Sequence, residues 1–385
     1  PLFGTDFFPE TSLYFFLATV KDEALQERLL RYEELRQHTR LLPVKVTAFY
    51  RQKLEREFKA LGHEEGPLHR IVYPSNDRLL QPEDLKEVED HVNDRSHMPS
   101  TQSSFLHKYP DRVLFMPTSE CLSHCMYCFR QDLLEERHEN KDNPSWKQHL
   151  NSLLDYLKIH PEVSEVILSG GDPFLLPSKA LNQIFHSLKK ANIQHLRIHT
   201  RSLVFNPESF TKGHMTVCHD HNVRVILHVT HPYEWCKEVS VKAREWSNAG
   251  IRLYNQFPIL RKINDHPSVL ANLVEKLDED RVRTLSIYLP DPVKYSSCYR
   301  VPYHRLVTLI KEFKHSTPSW INGLRFSQDS PIGKLGLDEL ELVDPEKQVL
   351  IYRRGSEEVR VPDLPSNIDE TFDIKTLLWE EHETD

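Results

Sequence analysis

Apolar residues recur along this chain with two different periods, and the change comes near residue 107. Before it the spacing is helical. Ala24, Leu25, Leu29, Leu30 and Leu35 fall among charges over residues 22–38, which predicts an amphipathic helix, and Pro43 closes it off. Residues 46–61 repeat the pattern with a face of Arg, Lys and Glu, read as solvated surface. Pro82-Glu83-Asp84-Leu85 carries the acidic first turn of a helix start, and residues 93–105 are polar and loop-like. After that, short apolar runs alternate with helical spacing. The runs at 112–116, 163–168, 195–199, 223–229, 251–255 and 284–289 predict strands. The segments at 146–159, 179–191, 239–248, 267–277 and 301–314 predict helices. Repeated β-α units of this length imply an α/β fold, a parallel sheet with right-handed crossovers, either open or curled into a partial barrel. Residues 348–352 and 357–361 flank Arg353-Arg354-Gly355-Ser356 and predict a β-hairpin, while the acidic end at 380–385 is expected to fray.

The 385 residues divide on this reading into an N-terminal helical extension (1–106), a barrel (107–328) and a C-terminal segment (329–385). A net charge of −8 lacks the clustered basic footprint of a nucleic-acid partner. No apolar run reaches the roughly 18 residues of a membrane span. The short apolar run at 13–20 has no basic residues before it and reads as core rather than as a signal peptide. Glycine is scarce, 11 residues, yet Gly170 and Gly171 are adjacent, which suggests a close backbone approach.

In a parallel barrel, function gathers where strands end. Here Cys121-Leu-Ser-His-Cys125-Met-Tyr-Cys128 follows the first predicted strand, and Gly170-Gly171-Asp172 follows the second. Thr200 and Arg201, His231, Asn255 and Gln256, and Asp291 follow the next four. Of the six cysteines, Cys218, Cys236 and Cys298 stand alone and read as small buried residues. Three cysteines within eight residues are too crowded for a disulfide framework and one ligand short of a closed zinc or cubane site. They can hold a four-iron cluster with one iron open. Other readings of the triplet are scattered buried thiols, or a zinc site completed by a neighbour such as His124.

The ordered motifs resemble the lysine 2,3-aminomutase family of radical S-adenosylmethionine (SAM) enzymes, from about residue 108 to about 361. The likeness rests on Tyr109-Pro-Asp-Arg-Val-Leu, the cysteine triplet with Phe129-Arg130, and Ser169-Gly-Gly-Asp-Pro. It continues through Arg197-Ile-His-Thr-Arg, His231-Pro, Asn255-Gln, Asp291, and Asp329-Ser-Pro-Ile-Gly-Lys334. It implies a radical SAM partial (β/α)6 barrel in which Cys121, Cys125 and Cys128 hold a 4Fe-4S cluster. Gly170, Gly171, Asp172, His231 and Gln256 would meet SAM. Arg130 would take the substrate carboxylate, and Asp291 and Asp329 the distal ammonium of lysine or a close cationic amino acid. Lys334 would form the Schiff base with pyridoxal phosphate (PLP), with Tyr109 and Arg112 near its phosphate. The chain departs from the family in the loop before that lysine: Ile332-Gly333 stands where a longer glycine run is usual.

The implied reaction moves the α-amino group of the substrate to its β-carbon. Its partners are a small-molecule amino acid and an electron donor such as flavodoxin or ferredoxin, with neither nucleic acid nor membrane. The implied compartment is the reducing cytoplasm. Homo-oligomers are common in the family. Three other readings stand beside this one: formation of β-lysine for elongation-factor modification; a PLP-independent epimerase, dehydrogenase or lyase; and, from a different class, a non-enzymatic iron–sulfur electron carrier or sensor.

Overall fold

The computed structural model of the chain describes residues 22–80, 85–140 and 144–379. The expectations at 13–20, 82–84 and 380–385 lie outside these residues. Two helices open the described chain. Glu23–Arg36 is capped by Asp22, which accepts from the Leu25 amide, and Ala48–Leu61 by Thr47, which accepts from the Tyr50 amide.

Nine strands follow in one sheet whose spatial order is the sequence order. They are β1 (Phe105–Tyr109), β2 (Arg112–Phe115), β3 (Glu165–Leu168), β4 (His195–Thr200), β5 (Arg224–Leu227), β6 (Arg252–Pro258), β7 (Arg283–Tyr288), β8 (Arg325–Gln328) and β9 (Leu335–Gly336). Pairing is parallel from β2 to β8, and helices supply the crossovers. β1 and β9 close the two edges antiparallel. The parallel run therefore holds seven strands rather than six. Arg325-Phe-Ser-Gln328, the added one, is no apolar run, and its Phe326 packs inward while Arg325 stays exposed. The sheet is a partial barrel with an uncovered interior.

The strands bury Val113, Phe115, Val166, Leu168, Leu196, Ile198, Val225, Leu227, Leu253 and Ile287 in one core. Leu25, Leu29, Tyr32, Tyr50 and Leu54 of the two opening helices belong to the same core. Trp246, wholly buried, packs against Phe174 and Phe210 with ring centroids 5.6 and 4.5 Å away. Each such large apolar side chain contributes about 1.5–3 kcal/mol by leaving water.

The expected hairpin is larger than foreseen. β11 (Val349–Arg354) and β12 (Glu357–Pro362) pair across the Gly355 turn, and β10 (Leu340–Asp344) adds a third antiparallel strand. Leu335, Leu350, Tyr352, Val359 and Val361 form a small separate core beneath it. Among the described residues, no helix is long and apolar enough to cross a membrane.

Candidate active site

A cavity of about 620 Å³ occupies the barrel interior. Its wall includes Cys121, Cys125 and Cys128 beyond the end of β2, and Arg112, Arg197 and Arg325 near the starts of β2, β4 and β8. It thus runs the length of the strands, where strand-end reasoning foresaw only one mouth.

The cysteine loop is held from both sides. The His124 amide donates to the Lys45 carbonyl at 3.0 Å and the Met126 amide to the Ile71 carbonyl at 2.8 Å. The buried Arg78 guanidinium donates to the carbonyls of Met126 and Tyr295. The N-terminal extension is therefore a brace for this loop. His124 bonds the Pro43 carbonyl through Nδ1 at 2.7 Å and does not line the cavity, so it completes no zinc site. Among the described residues, the one trio of candidate ligand atoms within 4.8 Å of one another lies elsewhere, so the three thiols stand wider apart than around a single ion. Burial raises all three thiols, Cys128 to about 12, and for Cys121 and Cys128 the neighbouring cysteines add to it. Three thiolates here call for a compensating cationic centre.

The Gly170-Gly171-Asp172 loop packs on the cysteine loop. The Gly171 amide donates to Thr118 O at 3.1 Å and Asp172 N to Glu120 O at 2.7 Å. Gly170 has φ +96°, and a Cβ there would lie 2.6 Å from the Met116 side chain. A Cβ on Gly171 would lie 2.4 Å from the Glu120 carbonyl oxygen. What the glycines approach most closely is protein, and both also line the cavity. The buried Asp172 carboxylate accepts from the Thr200 hydroxyl (2.8 and 2.9 Å), the Arg201 amide (2.9 Å) and the Phe174 amide (3.0 Å). It ties the ends of β3 and β4 together while remaining on the cavity wall.

Gln256 lies at the middle of a polar chain. Its Oε1 accepts from the Tyr288 hydroxyl at 2.8 Å, and its Nε2 lies 3.3 Å from His199 Nδ1 and 3.2 Å from His228 Nε2. Burial drives both histidines down, His228 to about 3, so both are neutral. His199 Nε2 is buried without a partner on the cavity wall, an open position for a bound group. Tyr288 also meets Lys334, whose ammonium donates to its hydroxyl and sits 3.8 Å from its ring centroid.

His231 is the exception among the expected residues. It is wholly buried outside the cavity, with Nε2 3.0 Å from the Leu377 carbonyl and its ring stacked on Trp379. The chain's own C-terminal segment covers it, so it does not face SAM. The cavity-wall histidines near that strand end are His199 and His228. His199 lies inside the Arg197–Arg201 motif, and only the alternation of side chains along β4 could have singled it out.

Asp291, Asp329, Lys334, Arg130 and Lys108 interact electrostatically in the same cavity. Burial lifts the Asp291 carboxyl well above the usual range, and repulsion from Asp329 adds to it. Burial works against the Lys334 ammonium, but Asp329 and Tyr288 outweigh it and hold it charged. Arg130 donates through Nε to Asp94 at 2.7 Å, which fixes the guanidinium on the wall. Asp94, in the polar stretch read as loop, was not foreseen.

At the other end, the Arg112 guanidinium lies 4.3 Å from the Tyr109 ring centroid. Arg112 and Arg197 share Glu165 at 4.0 and 2.7 Å. The Lys334 amide donates to the Tyr109 hydroxyl at 3.0 Å, and Gly333 takes φ +104° against the Tyr109 ring. The short Ile332-Gly333 loop thus still brings the Lys334 side chain inside the barrel. Arg112 also pairs with Asp111 at 3.4 Å, and three arginines against these two carboxylates leave a net positive charge suited to a phosphate.

Comparison with known proteins gives a consistent picture. The profile of the 4Fe-4S single cluster domain family matches residues 112–228. The chain is 29% identical over 302 residues to L-lysine 2,3-aminomutase of Methanococcus maripaludis, covering 78% of this chain and 67% of that one. It is 28% identical over 286 residues to L-lysine 2,3-aminomutase of Haemophilus influenzae, covering 73% and 80%. Among solved structures it aligns loosely with Streptococcus suis SuiB bound to S-adenosylmethionine, at TM-score 0.44 and 13% identity, over 63% of this chain and 55% of that one.

Proposed function

We propose that this chain is a radical SAM enzyme of the lysine 2,3-aminomutase kind, as its similarity to those proteins supports, and that it moves the α-amino group of L-lysine, or of a close cationic amino acid, to the β-carbon. The observation that carries the substrate is the carboxylate pair Asp291 and Asp329 in one cavity with Arg130 and Lys334. A zwitterion with a distal ammonium complements that arrangement: Arg130 for the carboxylate, the acid pair for the cation. A second carboxylate in place of the ammonium would be repelled.

The residues fit the groups this chemistry requires. Cys121, Cys125 and Cys128 would hold the 4Fe-4S cluster. Gln256, the neutral His199 with its open Nε2, and the loop fixed by Asp172 stand ready for SAM. Bound there and given one electron by an external reductant, cluster and SAM would supply a 5′-deoxyadenosyl radical able to take a hydrogen atom from the substrate. Lys334 would anchor PLP, with Tyr109, Arg112, Arg197 and Arg325 toward its phosphate. PLP supplies the electrophilic π system across which nitrogen migrates. The protein's task is positional: Asp94 holds Arg130 and Tyr288 holds Lys334. The PLP-free reading loses its main support, since the shortened loop still delivers Lys334 into the cavity. A cluster of this kind needs a reducing compartment and a reductant, which we assign to the cytoplasm and to a flavodoxin or ferredoxin.

The test is anaerobic. With SAM, dithionite, PLP and L-lysine, the protein should yield 5′-deoxyadenosine and the β-amino isomer. Borohydride should fix PLP on the peptide containing Lys334, and Lys334→Ala should lose both the fixed PLP and the isomer. SAM cleavage without isomer from lysine, ornithine or arginine would overturn the substrate assignment.

A further inference from the structure

On the outside of the barrel, away from the cavity, His107, His160 and Glu162 bring three ligand atoms within 4.8 Å of one another. His107 lies on β1 but is not part of the cavity wall; its ring meets Tyr156 and His160 edge to face at 5.7 and 5.4 Å. His160 and Glu162 lie on the turn between the helix Trp146–Lys158 and β3.

The surroundings orient this trio. His107 Nδ1 is hydrogen-bonded to the Tyr156 hydroxyl at 2.8 Å. Without a metal, Nε2–H faces the Pro110 carbonyl at 3.4 Å and Nδ1 accepts from Tyr156; an ion on Nε2 would replace that proton and leave Nδ1–H donating to the Tyr156 oxygen, the way an outer partner holds a metal-bound histidine. The Tyr156 ring also stacks on the His160 ring at 4.0 Å, and the two imidazoles meet edge to face at 5.4 Å. His160 Nδ1 lies 2.8 Å from Glu162 Oε1. Two ligand atoms about 2.0–2.1 Å from a tetrahedral ion stand about 3.3 Å apart, so this pair need open by only about half an ångström.

We propose that His107, His160 and Glu162 form a surface site for a borderline divalent cation, zinc in the first place, with water completing its shell. Two imidazoles and one carboxylate suit Zn²⁺ over the hard cations Mg²⁺ and Ca²⁺, which prefer all-oxygen shells. The ion is structural. It fastens the antiparallel edge strand β1 to the turn that feeds β3, and so braces the strand that carries Lys108 and Tyr109 into the cavity.

The experiment uses the cluster-loaded protein under anaerobic conditions, so that the cysteines are occupied, after a wash with a mild chelator. Zinc is titrated by calorimetry, and the thermal midpoint is read with and without it. One saturable site per chain is expected, at least about tenfold weaker in both His160→Ala and Glu162→Gln. Zinc should raise the thermal midpoint of the parent protein and leave both variants unmoved, with aminomutase turnover unchanged by Glu162→Gln. Should His160→Ala fail to fold, Glu162→Gln at its exposed position carries the test alone. No saturable zinc binding, or equal affinity in parent and Glu162→Gln, would overturn the site.

Discussion

At the scale of single residues, the cavity is a set of charges held out of balance until a ligand arrives. Asp291 is the clearest case, its carboxyl pushed well up by burial and then by Asp329. In the empty site it holds a proton at pH values where an exposed aspartate would not. A substrate ammonium favours the carboxylate, lowers that pKa and expels the proton. Lysine affinity should therefore rise with pH up to the raised value, and calorimetry in buffers of different ionisation enthalpy should report proton release. Asp291→Asn should abolish the release and weaken lysine by about tenfold or more, as expected for a hydrogen bond to a charged group. Unchanged affinity would remove Asp291 from the substrate. Much of the cavity's lining was legible in the sequence, because cysteine, aspartate and lysine announce themselves in short motifs. What the sequence hid was direction. His231 sits at a strand end as foreseen, but a contact 146 residues away, from Leu377, turns it into packing. Tyr288 and Asp94 carry no local signal, since each matters only through the side chain it meets.

At the scale of elements, the apolar runs revealed the central strands because one residue in two along them packs in the core. The edge strand β1 and the late strand β8 mix polar and apolar residues, so neither stood out. The same limit governs the glycine pair: scarcity pointed to a close approach, but not to what is approached. Two backbone hydrogen bonds join the Gly170–Asp172 loop to residues 118 and 120, so this loop and the cysteine loop act as one unit. In Gly171→Ala the new methyl would meet the backbone of Ser119 and Glu120, which cannot swing aside. The expected cost is about 1–3 kcal/mol. It should appear as a lower thermal midpoint together with iron content below that of the parent, whereas full iron loading would show that the two loops move independently.

At the scale of the molecule, one core joins the N-terminal helices, the barrel and Trp379, and it encloses several neutral histidines. Burial lowers His91, His149 and His231 to about 4 and His124 and His228 to about 3. The unfolded chain would protonate each near pH 6.5, so between that value and about 4 it binds more protons than the fold does. Stability is then complete above pH 6.5 and falls as the pH drops, by up to about 1.4 kcal/mol per pH unit for each fully buried histidine. Thermal midpoints taken from pH 7 to 4.5 should decline steeply, and a flat profile would mean that these imidazoles find water or partners on protonation. The chain's reach matters in a different way for the segment before β1. His91 bonds the Asp329 carbonyl and His97 the Pro331 carbonyl, contacts spanning 238 and 234 residues. On a ribosome adding about 5–20 residues per second, these histidines are made on the order of 10–50 s before their partners exist. The contacts between residues 118–120 and 171–172 span about 50 residues and can form while synthesis continues. Of the two halves of the cavity, the one lined by Cys121, Cys125 and Cys128 is therefore ready first, and the one lined by Asp329 and Lys334 is completed only after residue 334 has been made.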